Sequence, residues 1–252
     1  MKKEKGKIIT LTSSKGGVGK TILLLNLAGI YEKLEKKVLI LDFDFSSGNC
    51  APLLNVDVKN TIYQVCEDIK NNRYNDLENY ISHYSNYIDI IPCPKDPRQS
   101  TKIDVKNLVT FLDEIVNLYD VVLIDTTHGF SKNNILTLDL SDKILYVVTN
   151  DFMDLKNTKN FISIMKDASY DKVKIVLNES RDPNLNYFST FDIKSTIKAN
   201  IDYTISASMY IKNITRYILE GKIFTLNSSM TFKDKKDMNK MIGMAKDLLL
   251  DE

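Results

Sequence analysis

The sequence predicts an α/β fold in which a single, mostly parallel sheet is covered by helices on both faces. Short apolar runs rich in Val and Ile recur along the chain as KIITLT, KVLILDFD, YIDIIPCP, DVVLIDT, KILYVVT, KVKIVLN and DYTISAS. Longer segments with helical periodicity separate them. Runs as uniformly apolar as these are typical of strands buried on both faces, and their alternation with helices predicts a doubly wound arrangement.

Four of the intervening segments have clear helical periodicity. They cover residues 21–37, 105–119, 210–222 and 234–252. The first two carry apolar residues along one face and are predicted to cover the sheet. No internal repeat, low-complexity tract or linker divides the chain, so residues 1–252 are predicted to form a single domain.

Composition narrows the functional classes. The 252 residues carry a net charge of +1, which provides no global field to attract nucleic acid or anionic membrane. The cysteines Cys50, Cys66 and Cys93 form no CxxC pair, which argues against a disulfide framework and against a zinc or iron–sulfur site. No apolar stretch approaches the roughly 18 to 20 residues of a membrane span, and the N-terminal apolar run is too short for a signal peptide. These features predict a soluble, cytoplasmic protein.

The stretch SSKGGVGKT follows the first predicted strand and opens the first predicted helix. Gly16, Gly17 and Gly19 allow successive backbone N–H groups to turn inward, which creates an anion site at the positive end of a helix dipole. Lys20 can then reach the β- and γ-phosphates of a nucleotide, and the Thr21 hydroxyl can ligate Mg²⁺. The pattern predicts a phosphate-binding loop.

Carboxylates follow two of the predicted strands. VLILDFDFSSGN ends a strand with Asp42 and Asp44, at the edge where open α/β sheets bind ligands. Successive side chains of a strand point in opposite directions, so these two cannot have the same role. YDVVLIDTTHGF has the pattern of a Walker B element, in which Asp125 follows four apolar residues and is predicted to bind Mg²⁺ through water.

The loop departs from the usual spacing GxxxxGK[ST], because it has Ser14 where a glycine would stand and gains a second lysine, Lys15. KGGVGKT, together with DFD, LIDT and LN, resembles the deviant Walker A loop and its companion motifs in the MinD/ParA family of P-loop ATPases. The resemblance extends from residue 7 to about residue 248. It implies ATP and ADP as nucleotides, Mg²⁺ as the metal, and a homodimer that forms with ATP.

The resemblance also implies a role for each matched residue. Lys20 holds its own nucleotide, and Lys15 reaches across a nucleotide-sandwich dimer to the phosphates bound by the other subunit. Asp44 orients the attacking water, and Asp42 lies near the metal. The nucleotide contacts implied by the family are Lys15, Gly16, Gly17, Val18, Gly19, Lys20, Thr21, Gly129 and Asn178.

Two of these implied contacts come from later in the sequence. Gly129 would donate its N–H near the γ-phosphate, and Asn178 would hydrogen-bond the adenine base through its amide, which is both a donor and an acceptor. His128 stands beside Gly129. Two interpretations of His128 stay open, a catalytic histidine and a loop histidine without chemistry, whereas His83 is predicted to be a surface residue.

Within the family, YIDIIPCPKDP, YDVVLIDTTHGF and DFMDLKNTKNF most resemble the CpaE/TadZ branch, which localises pilus-assembly machinery. That resemblance implies a protein partner from a localisation or assembly machine, which recruits the protein to a membrane or cell pole. The final segment has an apolar stripe but an acidic end, so it is predicted to pack in the core and provides no strong membrane anchor. The stripe consists of Met238, Met241, Ile242, Ala245, Leu248 and Leu249.

Two further functions remain as alternatives. A partition ATPase of the ParA type would bind DNA without sequence preference through a few basic residues. The candidates for such a patch are Lys194, Lys198, Lys212, Arg216 and Lys222. A metabolic ATP-dependent ligase of the same fold would need a small-molecule pocket but would gain nothing from Lys15 acting in trans.

Overall fold

The computed structural model describes residues 5–167, 171–179, 188–207, 214–227 and 232–250. Within these residues eight strands form one sheet in the spatial order β3, β4, β2, β5, β1, β6, β7, β8. The strands are β1 (Lys7–Thr12), β2 (Val38–Phe43), β3 (Ser82–His83), β4 (Ile88–Ile91), β5 (Val121–Thr126), β6 (Lys143–Val148), β7 (Val173–Asn178) and β8 (Tyr203–Ile205). All neighbouring pairs are parallel except β3 with β4. The predicted mostly parallel α/β fold is therefore confirmed.

Helices lie on both faces of this sheet. The described α-helices are α1 (Lys20–Lys33), α2 (Cys50–Leu54), α3 (Ile62–Lys70), α4 (Pro97–Ser100), α5 (Val109–Ile115), α6 (Lys132–Leu140), α7 (Phe152–Asp167), α8 (Thr190–Ile197), α9 (Ile214–Leu219) and α10 (Phe232–Asp247). Short 3₁₀ turns cover Leu77–Asn79, Val105–Leu108 and Phe224–Leu226.

Alternate residues of the central strands fill cores on opposite faces. Ile9 and Leu11 of β1 join the core that contains α1 and α10, whereas Ile8 joins the core that contains α3 and α5. In β2, Ile40 joins the first of these cores and Leu41 joins the second. A third core lies between β6, β7, α7 and α8. Burial on both faces explains why the strands are continuous apolar runs and do not alternate with polar residues.

The elements differ from the predicted ones at their ends. All seven predicted strands are present, and the eighth, β3, is a two-residue antiparallel strand at the edge. The helix predicted over 105–119 is a 3₁₀ turn, which Asp104 caps by accepting a hydrogen bond from the Lys106 N–H, followed by the shorter α5. α1 ends at Lys33, just before Glu35, which has a φ of +56°.

The sheet order places the candidate site. β1 lies between β5 and β6, which follow it in the sequence, while β2 lies beyond β5. Chain connections therefore run to opposite sides of β1, and the loop after β1 opens at this switch point, where open α/β sheets bind ligands.

Candidate functional site

Glycines shape the loop between β1 and α1. Gly17 and Gly19 have φ angles of +76° and +90°, a region that residues with a Cβ rarely adopt. An added Cβ at Gly19 would also lie 2.5 Å from Nδ2 of Asn178. α1 begins directly after the loop, so the positive end of its dipole faces the loop. The predicted residues 15–21 all line one cleft.

Lys20 and Thr21 occupy the first turn of α1. Lys20 is buried, and its Nζ donates a hydrogen bond of 3.0 Å to Oγ of Ser13, inside the same loop. Thr21 donates from Oγ1 to Oδ2 of Asp125 over 2.5 Å. The structure therefore connects the phosphate loop directly to the Walker B aspartate.

Asp42 and Asp125 lie side by side at the ends of β2 and β5, where they are register partners. Both are completely buried. Burial raises the pKa of Asp42, and repulsion from Asp125 raises it further. Burial also raises the pKa of Asp125, against the opposing effects of the Thr21 hydrogen bond and the Lys20 charge. Two adjacent buried carboxylates are unfavourable without a nearby cation, so the pair fits a divalent metal ion.

One carboxylate oxygen remains available to such an ion. Asp42 accepts hydrogen bonds from the backbone N–H groups of Asp44 and Cys50, over 3.1 and 3.0 Å. Oδ1 of Asp125 is buried and has no hydrogen-bond partner among the described residues. Mg²⁺ prefers oxygen ligands of this kind. The predicted metal residues Thr21, Asp42 and Asp125 are thus brought together in an arrangement that Mg²⁺ fits.

Cys50 is a member of this group that the sequence analysis missed. Its Sγ donates to Oδ2 of Asp125 over 3.8 Å, and ligand atoms of Asp42, Cys50 and Asp125 all lie within 4.8 Å of one another. The absence of a CxxC pair argues only against a site built from cysteine pairs. A mixed group of one cysteine and two aspartates has no recognisable spacing in the sequence, because Cys50 lies 8 residues from Asp42 and 75 residues from Asp125.

Asp44 lies on the cleft side of its strand end, away from the buried position of Asp42. It lines the cleft, and its Oδ1 accepts hydrogen bonds from the N–H groups of Ser46 and Ser47, each over 3.2 Å. These bonds fix the carboxylate at the wall of the cleft. The two carboxylates therefore occupy different environments, and the separate roles expected for them stay predictions.

Lys15 has an environment unlike that of Lys20. Its Nζ contacts Oδ1 of Asp151 over 2.9 Å, and the two side chains are 37% and 47% exposed. Asp151 follows β6, the strand beside β1. Lys15 therefore lies at the rim of the cleft, held by an exposed ion pair.

Ser14, which replaces the usual glycine, has a structural partner. Its Oγ donates to Oδ1 of Asp154 over 2.6 Å. Asp154 is fully buried, and its Oδ2 accepts from the N–H and the hydroxyl of Thr149. The phosphate loop is thereby attached to the first turn of α7. Asp151 and Asp154 were missed by the sequence analysis, and their one signal is their position after a strand at the ligand-binding edge.

The loop after β5 adopts a different arrangement from the one that the resemblance implies. Gly129 has a φ of +83°, and its N–H donates to the carbonyl of Ser13 over 3.1 Å. It lines a smaller neighbouring cavity of about 290 Å³. A contact between this N–H and a phosphate would require the bond to Ser13 to break, so that role stays a prediction. His128 lines the main cleft, opposite Gly16.

Asn178 supports the phosphate loop from the end of β7. Its Nδ2 donates to the carbonyl of Val18 over 2.7 Å. Its Oδ1 is buried and has no partner among the described residues. A buried amide oxygen without a partner is unfavourable. Oδ1 can therefore accept a hydrogen bond from a ligand in the cleft.

The cleft has a volume of about 900 Å³, within the range of about 300 to 1,000 Å³ that is usual for small-molecule sites. The glycine loop offers N–H groups and two lysines for phosphates. Asn178, which lies against this loop and also lines the cleft, adds an amide oxygen that has no partner among the described residues. This combination fits a nucleotide.

The structure also bears on the predictions for the final helix and for His83. α10 packs on α1, where the hydroxyl of Tyr31 donates to the carbonyl of Ala245, so the predicted core packing of this helix is confirmed. Among the described residues no helix is long and apolar enough to cross a bilayer. His83 is half exposed, as predicted, but its ring contacts both Glu78 and Asp89.

The basic residues proposed for a DNA-binding patch are partly paired. Arg216 and Lys222 both contact Glu220, over 2.7 and 2.8 Å. Lys194 lies in α8, and Lys198 ends that helix. Lys212 lies outside the described residues. Glu220 thus offsets two of the cations that the sequence analysis grouped.

Comparisons with known proteins agree with this geometry. Residues 6–179 match a family model described as an AAA domain. An uncharacterized ATP-binding protein of Methanocaldococcus jannaschii is 29% identical over 172 residues, which cover 68% of this chain and 64% of that protein. The chain therefore spans less than two thirds of that relative.

Two solved structures share the fold. A ParA family ATPase from Chlorobium tepidum superposes with a TM-score of 0.81 at 16% identity, covering 96% of this chain and 98% of that one. The septum site-determining protein MinD of Pyrococcus horikoshii, complexed with Mg-ADP, gives a TM-score of 0.76 at 22% identity, with 96% of each chain covered. Because the family match extends over more than half of the sequence, the chain belongs to this family of AAA domains.

Proposed function

We propose that this protein is an ATP-dependent dimerising switch that hydrolyses ATP and positions a partner complex, as pilus-localisation factors of the CpaE/TadZ branch do. The observation that carries the proposal is the different placement of two lysines in one phosphate loop. Lys20 is buried in its own loop, whereas Lys15 lies partly exposed at the rim. A lysine at the rim can reach a nucleotide that a facing second copy holds.

Nucleotide binding is assigned to the loop and to the end of β7. The N–H groups of residues 16–21 hold the phosphates, and the Lys20 ammonium neutralises part of their charge. Asn178 accepts a hydrogen bond from the base through its unpartnered Oδ1. ADP uses the same contacts apart from those to the γ-phosphate.

The group around Asp125 is assigned to Mg²⁺. Thr21 and Asp125 would hold the ion, with Asp42 beside them, because these oxygens are already adjacent. When bound, Mg²⁺ neutralises charge on the phosphate oxygens. Binding would also relieve the repulsion between the two buried carboxylates.

We assign to Asp44 the role of orienting the attacking water. Its Oδ1 is fixed by two backbone N–H groups, so the carboxylate can orient a water molecule in the cleft with little loss of freedom. The water oxygen attacks the γ-phosphorus, and the bond from that phosphorus to the bridging oxygen breaks, which yields ADP and phosphate. Lys15 of a second copy stabilises the charge that develops, as an arginine finger does.

ATP can drive dimerisation only if it binds the dimer more tightly than the monomer. Lys15 in trans supplies such a difference, because its contact to the γ-phosphate exists only in the dimer. We propose that turnover is slow and partner-stimulated, so that the ATP dimer engages its partner and hydrolysis releases it.

The partner is proposed to meet the start of α7. The segment DFMDLKNTKNF begins there, and it places Phe152 and Met153, 56% and 59% exposed, directly after Asp151. We propose that the protein is cytoplasmic, that residues 1–252 act as a single ATPase domain, and that a partner recruits it to a membrane or pole. DNA partition and a metabolic ligase remain the alternatives, and Glu220 weakens the first by pairing with two of its cations.

The test of this function is solution mass by light scattering. An Asp44→Ala variant is expected to be monomeric with Mg·ADP and to double in mass with Mg·ATP, because hydrolysis no longer removes the γ-phosphate. Adding Lys15→Ala should abolish the doubling. A mass indifferent to nucleotide would overturn the switch and favour the ligase, whereas ATP-dependent binding of arbitrary duplex DNA would favour partition.

The ion pair at the rim yields a further prediction. Asp151→Asn keeps an oxygen for the Asp154 N–H, which bonds Oδ1 of Asp151, but removes the charge that holds Lys15. Because an exposed pair contributes at most about 1 kcal/mol, the protein concentration for half-maximal dimerisation with ATP should fall by about 2- to 5-fold.

Asp104→Asn is the matched control, since it neutralises a similar exposed pair with Lys132. It should leave dimerisation unchanged. If Asp151→Asn weakens dimerisation instead, Asp151 itself contributes to the dimer and does not restrain Lys15.

A further inference from the structure

We infer that Asp42, Cys50 and Asp125 form a binding site for a thiophilic divalent metal ion, of the class of Co²⁺, Zn²⁺ and Cd²⁺, with Cys50 as a thiolate ligand. The inference goes beyond the proposed function, since it requires neither nucleotide nor hydrolysis. It assigns to the cation site a selectivity that a purely oxygen-lined magnesium site would lack.

The geometry brings three ligand atoms to one point. One atom from each side chain lies within 4.8 Å of the others, and all three residues are buried. Zinc-type ions hold sulfur and carboxylate oxygen at about 2.0 to 2.3 Å, so ligands of one ion lie about 3.3 to 3.8 Å apart. Sγ of Cys50 is already 3.8 Å from Oδ2 of Asp125. The other distances, which are at most 4.8 Å, would have to shorten by up to about 1 Å for all three side chains to bind one ion.

A second observation points to a cation independently of the thiol. Oδ1 of Asp125 is buried and has no hydrogen-bond partner among the described residues. Asp125 also lies beside the buried carboxylate of Asp42, its register partner. An unpaired buried carboxylate oxygen next to a second carboxylate is strongly unfavourable unless a cation is bound there.

The donor atoms determine the class of ion. Mg²⁺ takes hard oxygen ligands and gains nothing from sulfur, whereas thiolate selects zinc-type ions. Binding breaks the Sγ–H bond of Cys50, releases the proton to solvent and forms a metal–sulfur bond without any change in oxidation state. The same carboxylates serve both classes of ion, so Mg²⁺ and the thiophilic ion should compete.

The group can be reached from the cleft. Thr21, which bonds Asp125, lines the cleft, and so does Asn49, which precedes Cys50. The three ligands are themselves buried, and these two neighbours place them directly behind the wall of the cleft. The other two cysteines, Cys66 and Cys93, are also buried but lie outside this group, and they provide matched controls.

The experiment is a titration of the full reduced chain with Co²⁺ alone, without nucleotide or Mg²⁺. A near-ultraviolet charge-transfer absorption from thiolate to cobalt is expected to rise and saturate at one equivalent. Cys50→Ser should lose this absorption and bind Co²⁺ at least about 10-fold more weakly, the scale typical of a lost metal-site interaction. Cys66→Ser and Cys93→Ser should behave as wild type, and Mg²⁺ should displace the Co²⁺ from the wild type only at concentrations far above that of Co²⁺.

Absence of the absorption in the wild type, or its persistence in a Cys50→Ser variant that is folded by circular dichroism, would overturn the inference. The outcome is separable from the proposed function. If the protein binds cobalt but never dimerises with ATP, only the proposed switch is wrong. If it dimerises with ATP but shows no charge-transfer band, only the inferred metal site is wrong.

Discussion

A Lys20→Ala variant is expected to lose nucleotide binding, whereas Lys15→Ala is expected to keep it. Lys20 is buried inside the loop that would hold the phosphates. Removal of a buried charge from such a pairing costs about 2 to 5 kcal/mol, which weakens ATP affinity about 30-fold to several thousand-fold. Lys15 lies at the rim with Asp151, so its loss should change the affinity of the monomer for ATP by less than about 3-fold.

Calorimetric titration of ATP and ADP into the two variants measures this difference. Circular dichroism must first show that Lys20→Ala is folded, because the Nζ of Lys20 also bonds Ser13. Lys15→Ala serves as the matched control, since it removes the same charge from the same loop. Equal nucleotide affinities for the two variants would contradict the separate roles of the lysines.

The strands could be predicted because burial on both faces leaves a simple pattern. In KIITLT, the neighbouring residues Ile8 and Ile9 belong to different cores, so apolar residues stand next to each other and do not alternate strictly with polar ones. β3 could not be predicted, because Ser82 and His83 pair only at the sheet edge and two residues show no periodicity. The 3₁₀ turn before α5 could not be predicted either, because helical periodicity reveals neither the tighter turn nor the bond by which Asp104 caps it.

The phosphate loop could be predicted because its geometry depends on adjacent residues. Gly17 and Gly19 take positive φ angles within one short loop. Asp151, Asp154 and Cys50 reach the site from other parts of the chain, and their contacts exist because β6 lies beside β1 and β2 beside β5. Periodicity predicts strands but not their spatial order, so these partners become evident only in the folded structure.

An Asp44→Ala variant is expected to bind ATP normally and to hydrolyse it about 100- to 10,000-fold more slowly, the usual contribution of a group that positions or deprotonates a reacting water. The side chain lines the cleft, and the loss of its bonds to the Ser46 and Ser47 N–H groups should cost only about 1 kcal/mol of stability. Phosphate release under single-turnover conditions, measured together with ATP affinity, separates the chemical step from binding.

Asp44→Asn and Asp76→Ala make this prediction specific. Asparagine at position 44 keeps an oxygen for the two N–H groups but removes the negative charge, so it should also hydrolyse slowly if the charge orients the water. Asp76 similarly accepts a backbone N–H, from Glu78, but lies outside the cleft, and its loss should leave hydrolysis unchanged. Normal turnover in both Asp44 variants would remove Asp44 from the reaction and require another group in the cleft, with His128 the first to test.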